Sequence, residues 1–111
     1  MRWESVLAWR MRRQHLVERA TDALTVVGDI CGLHAQVLSS AQLTLWARIE
    51  SPPDVAALAW REGVLVKTWA QRGTLHFHRT DELALWVGAQ AAIKPRYEQR
   101  TWLRHFGVTR E

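Results

Sequence analysis

Leu65-Val-Lys-Thr-Trp-Ala-Gln-Arg-Gly-Thr-Leu-His-Phe-His78 is the stretch that decides the fold. Val64, Leu65, Val66, Thr68 and Trp69 favour extended backbone, and Thr74, Leu75 and Phe77 do so again. Between them Gln71-Arg72-Gly73 forms a turn in which Gly73 has the conformational freedom a tight reversal requires. The stretch therefore predicts two short antiparallel strands with Lys67, Arg72 and Arg79 as cations around the hairpin. Helical patterns lie on both sides. A hairpin among helices in a small basic domain is the arrangement of a winged helix, so the expected class is mainly α with a β-hairpin: a winged helix-turn-helix with additional helices. A plain helical bundle has no use for the period-two stretch from Thr74 to His78.

Working towards the N-terminus, Gly63 ends a helix opened by Ser51-Pro52-Pro53-Asp54, with Ser51 as cap and Val55, Leu58 and Ala59 facing inward. Ser39 or Ser40 caps the helix before it, which carries Leu43, Leu45, Trp46 and Ile49. An earlier helix starts near Asp22 to Thr25, runs through Val26, Val27, Ile30 and Cys31, and stops at Gly32. The first spans Trp3 to about His15, with Trp3, Val6, Leu7 and Met11 on its apolar side and Arg10, Arg13 and Gln14 outward. Beyond the hairpin, Thr80-Asp81-Glu82 offers a hydroxyl cap and two acids to a helix packed on the core through Leu83, Trp86 and Val87. Pro95 begins a last helix through Tyr97, Trp102 and Phe106 that closes at Gly107. Residues Val108 to Glu111 resemble the start of a further helix cut short. No internal repeat or linker divides the chain, so residues 1–111 are expected to form one domain.

Length and composition fit that expectation. The 111 residues are 48% hydrophobic, enough for one core and too few for two. Seven tryptophans are many for this length and are expected to dominate the core. No apolar run approaches a membrane span, and Met1-Arg2-Trp3-Glu4 lacks the apolar centre of a signal peptide, so a soluble cytoplasmic protein is expected. Cys31, the single cysteine, excludes an internal disulfide and reads as a small core residue. The net charge of +4 is polarised. Acids outnumber Arg48 and Arg61 between Asp22 and Glu62, whereas Arg10, Arg12 and Arg13 cluster near the start. Arg96, Arg100 and Arg104 recur every four residues, which aligns them on one helical face. These runs are either solvated helix faces or, with Lys67, Arg72 and Arg79, a surface for a polyanion.

Two motifs carry a resemblance to a known family. Thr68-Trp69-Ala70-Gln71-Arg72-Gly73-Thr74-Leu75-His76 resembles the hairpin of the winged-helix AlkZ-like and YcaQ-like DNA glycosylases. Ile30-Cys-Gly-Leu-His-Ala-Gln-Val-Leu-Ser-Ser-Ala-Gln-Leu-Thr-Leu-Trp46 is similar to the region of that family holding its catalytic motif: a glutamine, an apolar residue, then glutamine or aspartate. The matching triplet is His34-Ala35-Gln36, with Gln36 at the second position and His34 in place of the usual glutamine at the first. Trp3 to Leu16 also looks like the family's first helix, so the likeness extends over essentially the whole chain. The resemblance implies excision of alkylated bases from double-stranded DNA, with His34 and Gln36 catalytic and Lys67, Arg72, Arg79, Arg96, Arg100 and Arg104 on DNA. It also implies further winged-helix units C-terminal to this one. The other readings of the chain are a non-catalytic winged-helix DNA-binding module or regulator, and a protein-interaction domain whose arginines only solubilise it.

The chemistry of the triplet is compatible with excision. An N7-alkylated purine is already cationic, so its departure needs a positioned water more than a strong acid. Two polar side chains separated by one residue in an extended segment point to the same side and can hold that water, and a neutral histidine can take its proton. The alternative is that His34 and Gln36 satisfy backbone groups in a turn. His76 and His78 share one strand face, and Cys31 with His34 offers a second pair of metal-ligand types. Without Cys-x-x-Cys, His-Glu-x-x-His or a third carboxylate, no metal and no cofactor is expected. The tryptophans at helical and strand positions suit a core and not a base-stacking platform, with Trp69, near the wing, the one closest to such a role.

Overall fold

The computed structural model describes residues 2–92 and 100–107. Helices α1 (Trp3–Arg13) and α2 (Ala23–Asp29) precede a two-residue strand β1 (Leu33–His34) and helix α3 (Leu38–Trp46). A short π-type turn of helix, Ala57–Arg61, leads into β2 (Leu65–Trp69) and β3 (Leu75–Arg79), and α4 (Leu83–Ala91) and α5 (Arg100–Phe106) follow. The sheet has the order β1-β3-β2 and is antiparallel throughout. Helix, strand, two helices, then a hairpin whose second strand pairs with the first strand is the winged-helix topology, with β2 and β3 as the wing.

Local chemistry explains most boundaries. The Asp22 carboxylate accepts from both the backbone N–H and the hydroxyl of Thr25, each at 2.7 Å, and so caps α2. The helix ending at Arg61 is capped by Asp54, which accepts from the Ala56 N–H at 2.9 Å, and not by Ser51. Gln42 fixes its entry, donating to the Pro53 carbonyl and accepting from the Val55 N–H. α3 begins after Val37 without a side-chain cap, which leaves Ser39 and Ser40 inside the helix. Thr80 also does not cap; its hydroxyl donates to the Gly63 carbonyl at 2.7 Å and ties the end of β3 to the start of β2. At the wing tip Arg72 and Gly73 are both left-handed, with φ of 56° and 68°. The start expected at Pro95, and with it Arg96, lies outside the described residues.

The core is aliphatic. Val26, Val27, Leu33, Ala35, Ala41, Leu45, Ile49, Val55, Leu65 and Phe77 are almost completely enclosed, and each large member contributes about 1.5–3 kcal/mol by leaving water. The expected tryptophan core is not found: Trp3, Trp9, Trp46, Trp60 and Trp69 are all more than half exposed. Nor does α1 bury any residue, so Trp3, Leu7 and Met11 form an exposed stripe. Its end is held by a contact of 2.8 Å between His15 Nε2 and the Asp29 carboxylate at the end of α2. No residue of α4 is buried either, and Cys31 is exposed in a left-handed turn residue, not in the core. Among the described residues no helix is long and apolar enough to cross a membrane.

Candidate active site and nucleic-acid interface

The triplet is built into the sheet. Leu33 and Ala35 are fully buried while His34 and Gln36 are exposed, the alternation that extended backbone imposes. Three contacts then attach the segment to β3. His34 pairs with His76 across the ladder, the Ala35 N–H donates to the Leu75 carbonyl at 2.8 Å, and the Leu75 N–H donates to Gln36 Oε1 at 2.8 Å. Gln36 thus extends the β1–β3 ladder with its side chain and keeps its amide N–H groups for another partner.

Behind His34 lies a row of rings. His34 meets His76 edge-on with centroids 5.3 Å apart, His76 stacks on His78 at 5.9 Å, and His78 stacks on Trp86 of α4 at 4.4 Å. His76 Nδ1 lies 3.1 Å from the Thr74 carbonyl, which can only accept, so that nitrogen carries the proton in the neutral ring. His78 is 1% exposed and neither ring nitrogen has a partner among the described residues. Burial, reinforced by the neighbouring His76 and opposed by Glu82, holds its pKa below the ordinary histidine value. Gly32 makes this packing possible. Its φ is +98°, and a β-carbon there would lie 2.6 Å from His78 Cε1.

His34 and His76 open onto a cleft of about 480 Å³ beside the wing turn, whose other polar walls include Gln71 and Arg72 of that turn and Thr44 and Arg48 at and after the end of α3. Gln71 Nε2 donates to the Cys31 carbonyl at 2.6 Å, which locks the wing turn onto the loop before β1. Gln36 is outside the lining. Among the described residues no three His, Cys, Asp or Glu side chains are grouped to hold a metal.

A family model described as DNA glycosylase AlkZ-like matches residues 27–111. The chain belongs to the AlkZ-like DNA glycosylase family. An interstrand DNA cross-link repair glycosylase of Streptomyces sahachiroi is 41% identical over 118 residues, which cover 96% of this chain and 29% of that protein. The solved structure of the Streptomyces sahachiroi DNA glycosylase AlkZ matches with a TM-score of 0.83 and 38% identity, over 99% of this chain and 30% of that one. The chain therefore spans somewhat under a third of these AlkZ-like relatives.

Within this AlkZ-like chain the three expected DNA-contacting cations around the hairpin, Lys67, Arg72 and Arg79, stand in different settings. Lys67 pairs with Phe77 and so lies on the sheet face opposite His34, with Nζ 5.8 Å from the Phe77 ring centre. Arg72 is at the wing tip, on the cleft. Arg79 is committed to an acidic pair: its Nε and Nη2 donate to the two Asp81 oxygens at 3.0 and 2.6 Å, with Glu82 at 3.6 Å. These bonds raise the Arg79 pKa and lower that of Asp81, and they leave little net charge there for a phosphate. Arg104 is exposed on α5, where Arg100 is the first residue. Arg48 also lines the cleft, a position the charge pattern does not single out because it stands in an acid-rich stretch and has no periodic companion.

Proposed function

We propose that this chain is the DNA-binding winged-helix part of a DNA glycosylase that hydrolyses the N-glycosidic bond of N7-alkylated purines, completed by further domains of the same protein. The observation that carries the reading is the attachment of His34-Ala35-Gln36 to β3: two polar side chains are exposed from a segment whose alternate residues are fully buried and hydrogen-bonded to the wing. Such a segment is positioned well enough to place a water.

In the reaction the water oxygen bonds to C1′ of the deoxyribose, the glycosidic C–N bond breaks with its electron pair leaving on the purine, and the cationic base departs neutral. The proton lost by the water passes to the free nitrogen of neutral His34. Gln36, its oxygen held by the Leu75 N–H, offers its amide N–H groups to the water or the sugar. Arg72 at the wing and the arginines of α1 and α5 supply sequence-independent contacts to duplex phosphates. The helix in the recognition position, Ala57–Arg61, is short, and its cation Arg61 is shared with Glu62 at 3.2 Å. That arrangement suits a protein that finds a lesion and reads little sequence.

One contact favours a second reading. Because Gln36 completes the β1–β3 ladder, it can be purely structural, leaving a non-catalytic winged-helix DNA-binding protein or regulator. Release of N7-methylguanine from duplex DNA by the full-length protein decides between them. Gln36→Ala is expected to abolish release while duplex affinity stays nearly unchanged and stability falls by no more than about 1 kcal/mol, the cost of losing the solvent-exposed bond to the Leu75 N–H. Release at the wild-type rate, or failure accompanied by unfolding, assigns Gln36 to structure.

A further inference from the structure

Arg48 is a cation placed where a folded protein seldom leaves one without an acidic partner. It follows α3, and its backbone is fixed by accepting from the Ala20 N–H at 2.8 Å. Its side chain turns back along the helix, so that Nη1 donates to the Thr44 carbonyl at 3.1 Å while Nε is buried and unpartnered. Partial burial lowers its pKa, and among the described residues no carboxylate forms an ion pair with it. Across the cleft stand His34, His76, Gln71 and Arg72, and no described aspartate or glutamate lines it. A half-desolvated guanidinium that shares a cleft with Arg72 and with no acid is a site for an anion with several acceptor oxygens, and a phosphodiester matches the planar fork of arginine.

Position narrows the ligand further. His34 lines the same cleft, and a deoxyribose presented to His34 carries its own 5′ and 3′ phosphates one bond series away. We infer that Arg48 binds a DNA phosphodiester flanking the nucleotide whose base is removed, an assignment that rests on the reading of His34 as facing the reacting sugar. Arg48 then fixes the register of that nucleotide against His34, a task distinct from the long-range attraction supplied by the exposed arginines of α1.

The test uses the full-length protein and a duplex containing one tetrahydrofuran abasic analogue, so that only binding is read. Either phosphate beside the analogue is replaced in turn by a neutral methylphosphonate. Wild type is expected to bind one of the two modified duplexes about tenfold more weakly than the parent. Arg48→Ala is expected to bind the parent about tenfold more weakly, to show no further loss on that methylphosphonate, and to have a salt slope shallower by about 0.9. Arg48→Lys should retain the slope, and Arg48→Gln, which keeps a donor for the Thr44 carbonyl, replaces the alanine variant if that one does not fold. The assignment is overturned if neither methylphosphonate weakens wild type, or if Arg48→Ala and wild type lose the same factor. N7-methylguanine release is measured in parallel. No release with the coupling intact removes the glycosylase reading and leaves the phosphate site; release with no coupling removes the phosphate site alone.

Discussion

The two faces of the three-stranded sheet are closed by different means. On one, Leu33, Leu65 and Phe77 pack into the aliphatic core, with Trp60 edge-on to Phe77 at 6.0 Å and Lys67 over its ring. On the other, His34, His76 and His78 form a row of rings that ends on Trp86 and opens at His34 onto the cleft. Burying Phe77 supplies stability. The histidine face buries ring nitrogens able to bond, and it does so directly behind His34, the residue proposed to serve the reaction. The contrast teaches that β3 is shared: its odd positions hold the fold and its even positions support the site.

The largest effect should come from the apolar face. Phe77→Ala removes a fully enclosed ring and is expected to cost about 3–5 kcal/mol in urea unfolding, enough to unfold a domain of this size. A loss below about 1 kcal/mol would mean that the face is not the core. On the histidine face, Gly32→Ala forces an L-residue to φ +98° and drives its β-carbon into His78 and the Phe77 carbonyl. It should cost about 2 kcal/mol or more. His78→Ala in the same chain should recover the steric share of that loss, and strictly additive losses would show that the ring does not press on Gly32.

A smaller effect is expected with pH. The folded state holds the His78 pKa below its ordinary value, so folding favours the neutral ring. The unfolded chain takes up a proton near pH 6.5 that the folded one refuses. Stability from this group is therefore complete above about pH 6.5 and is lost as pH falls from there through the lower folded pKa. Urea midpoints for wild type and His78→Phe across that range should diverge, the variant lacking this component. Parallel pH dependences would contradict it. The smallest change is expected for Lys67→Ala, below about 1 kcal/mol in stability. Because Lys67 is on the core side of the wing, that variant should leave single-turnover base release unchanged even where it lowers duplex affinity; a slowed chemical step would bring the two faces into one site.

How much of this was legible in the sequence follows from the range of each interaction. The wing is encoded locally, in Gln71-Arg72-Gly73 and the β-favouring residues beside it, and it forms where expected. The shared exposure of His34 and Gln36 follows from period two once their segment is extended. β1 is only two residues long and exists because β3 pairs with it, a long-range fact that no local pattern contains. The tryptophans misled for a related reason: burial is decided by what packs against a residue, and no described residue of α1 or α4 is itself buried. The caps at Ser39, Ser51 and Thr80 were plausible by residue type but lost to neighbours, Asp54 taking one helix start and the Gly63 carbonyl taking the Thr80 hydroxyl. Arg48 was invisible because its meaning lies in the cleft it faces.

The central claim is that the histidine face does chemistry. Single-turnover release of N7-methylguanine by the full-length protein tests it most directly, with wild type, His34→Ala and His34→Gln compared on saturating DNA. The account predicts that His34→Ala loses about 100-fold or more in rate with duplex affinity retained. His34→Gln, which restores the family's usual residue, should keep activity. Wild-type rates in both variants would contradict the claim and move the chemistry away from the histidine face, and no release by any of the three would leave this chain a winged helix that binds DNA without cutting the glycosidic bond.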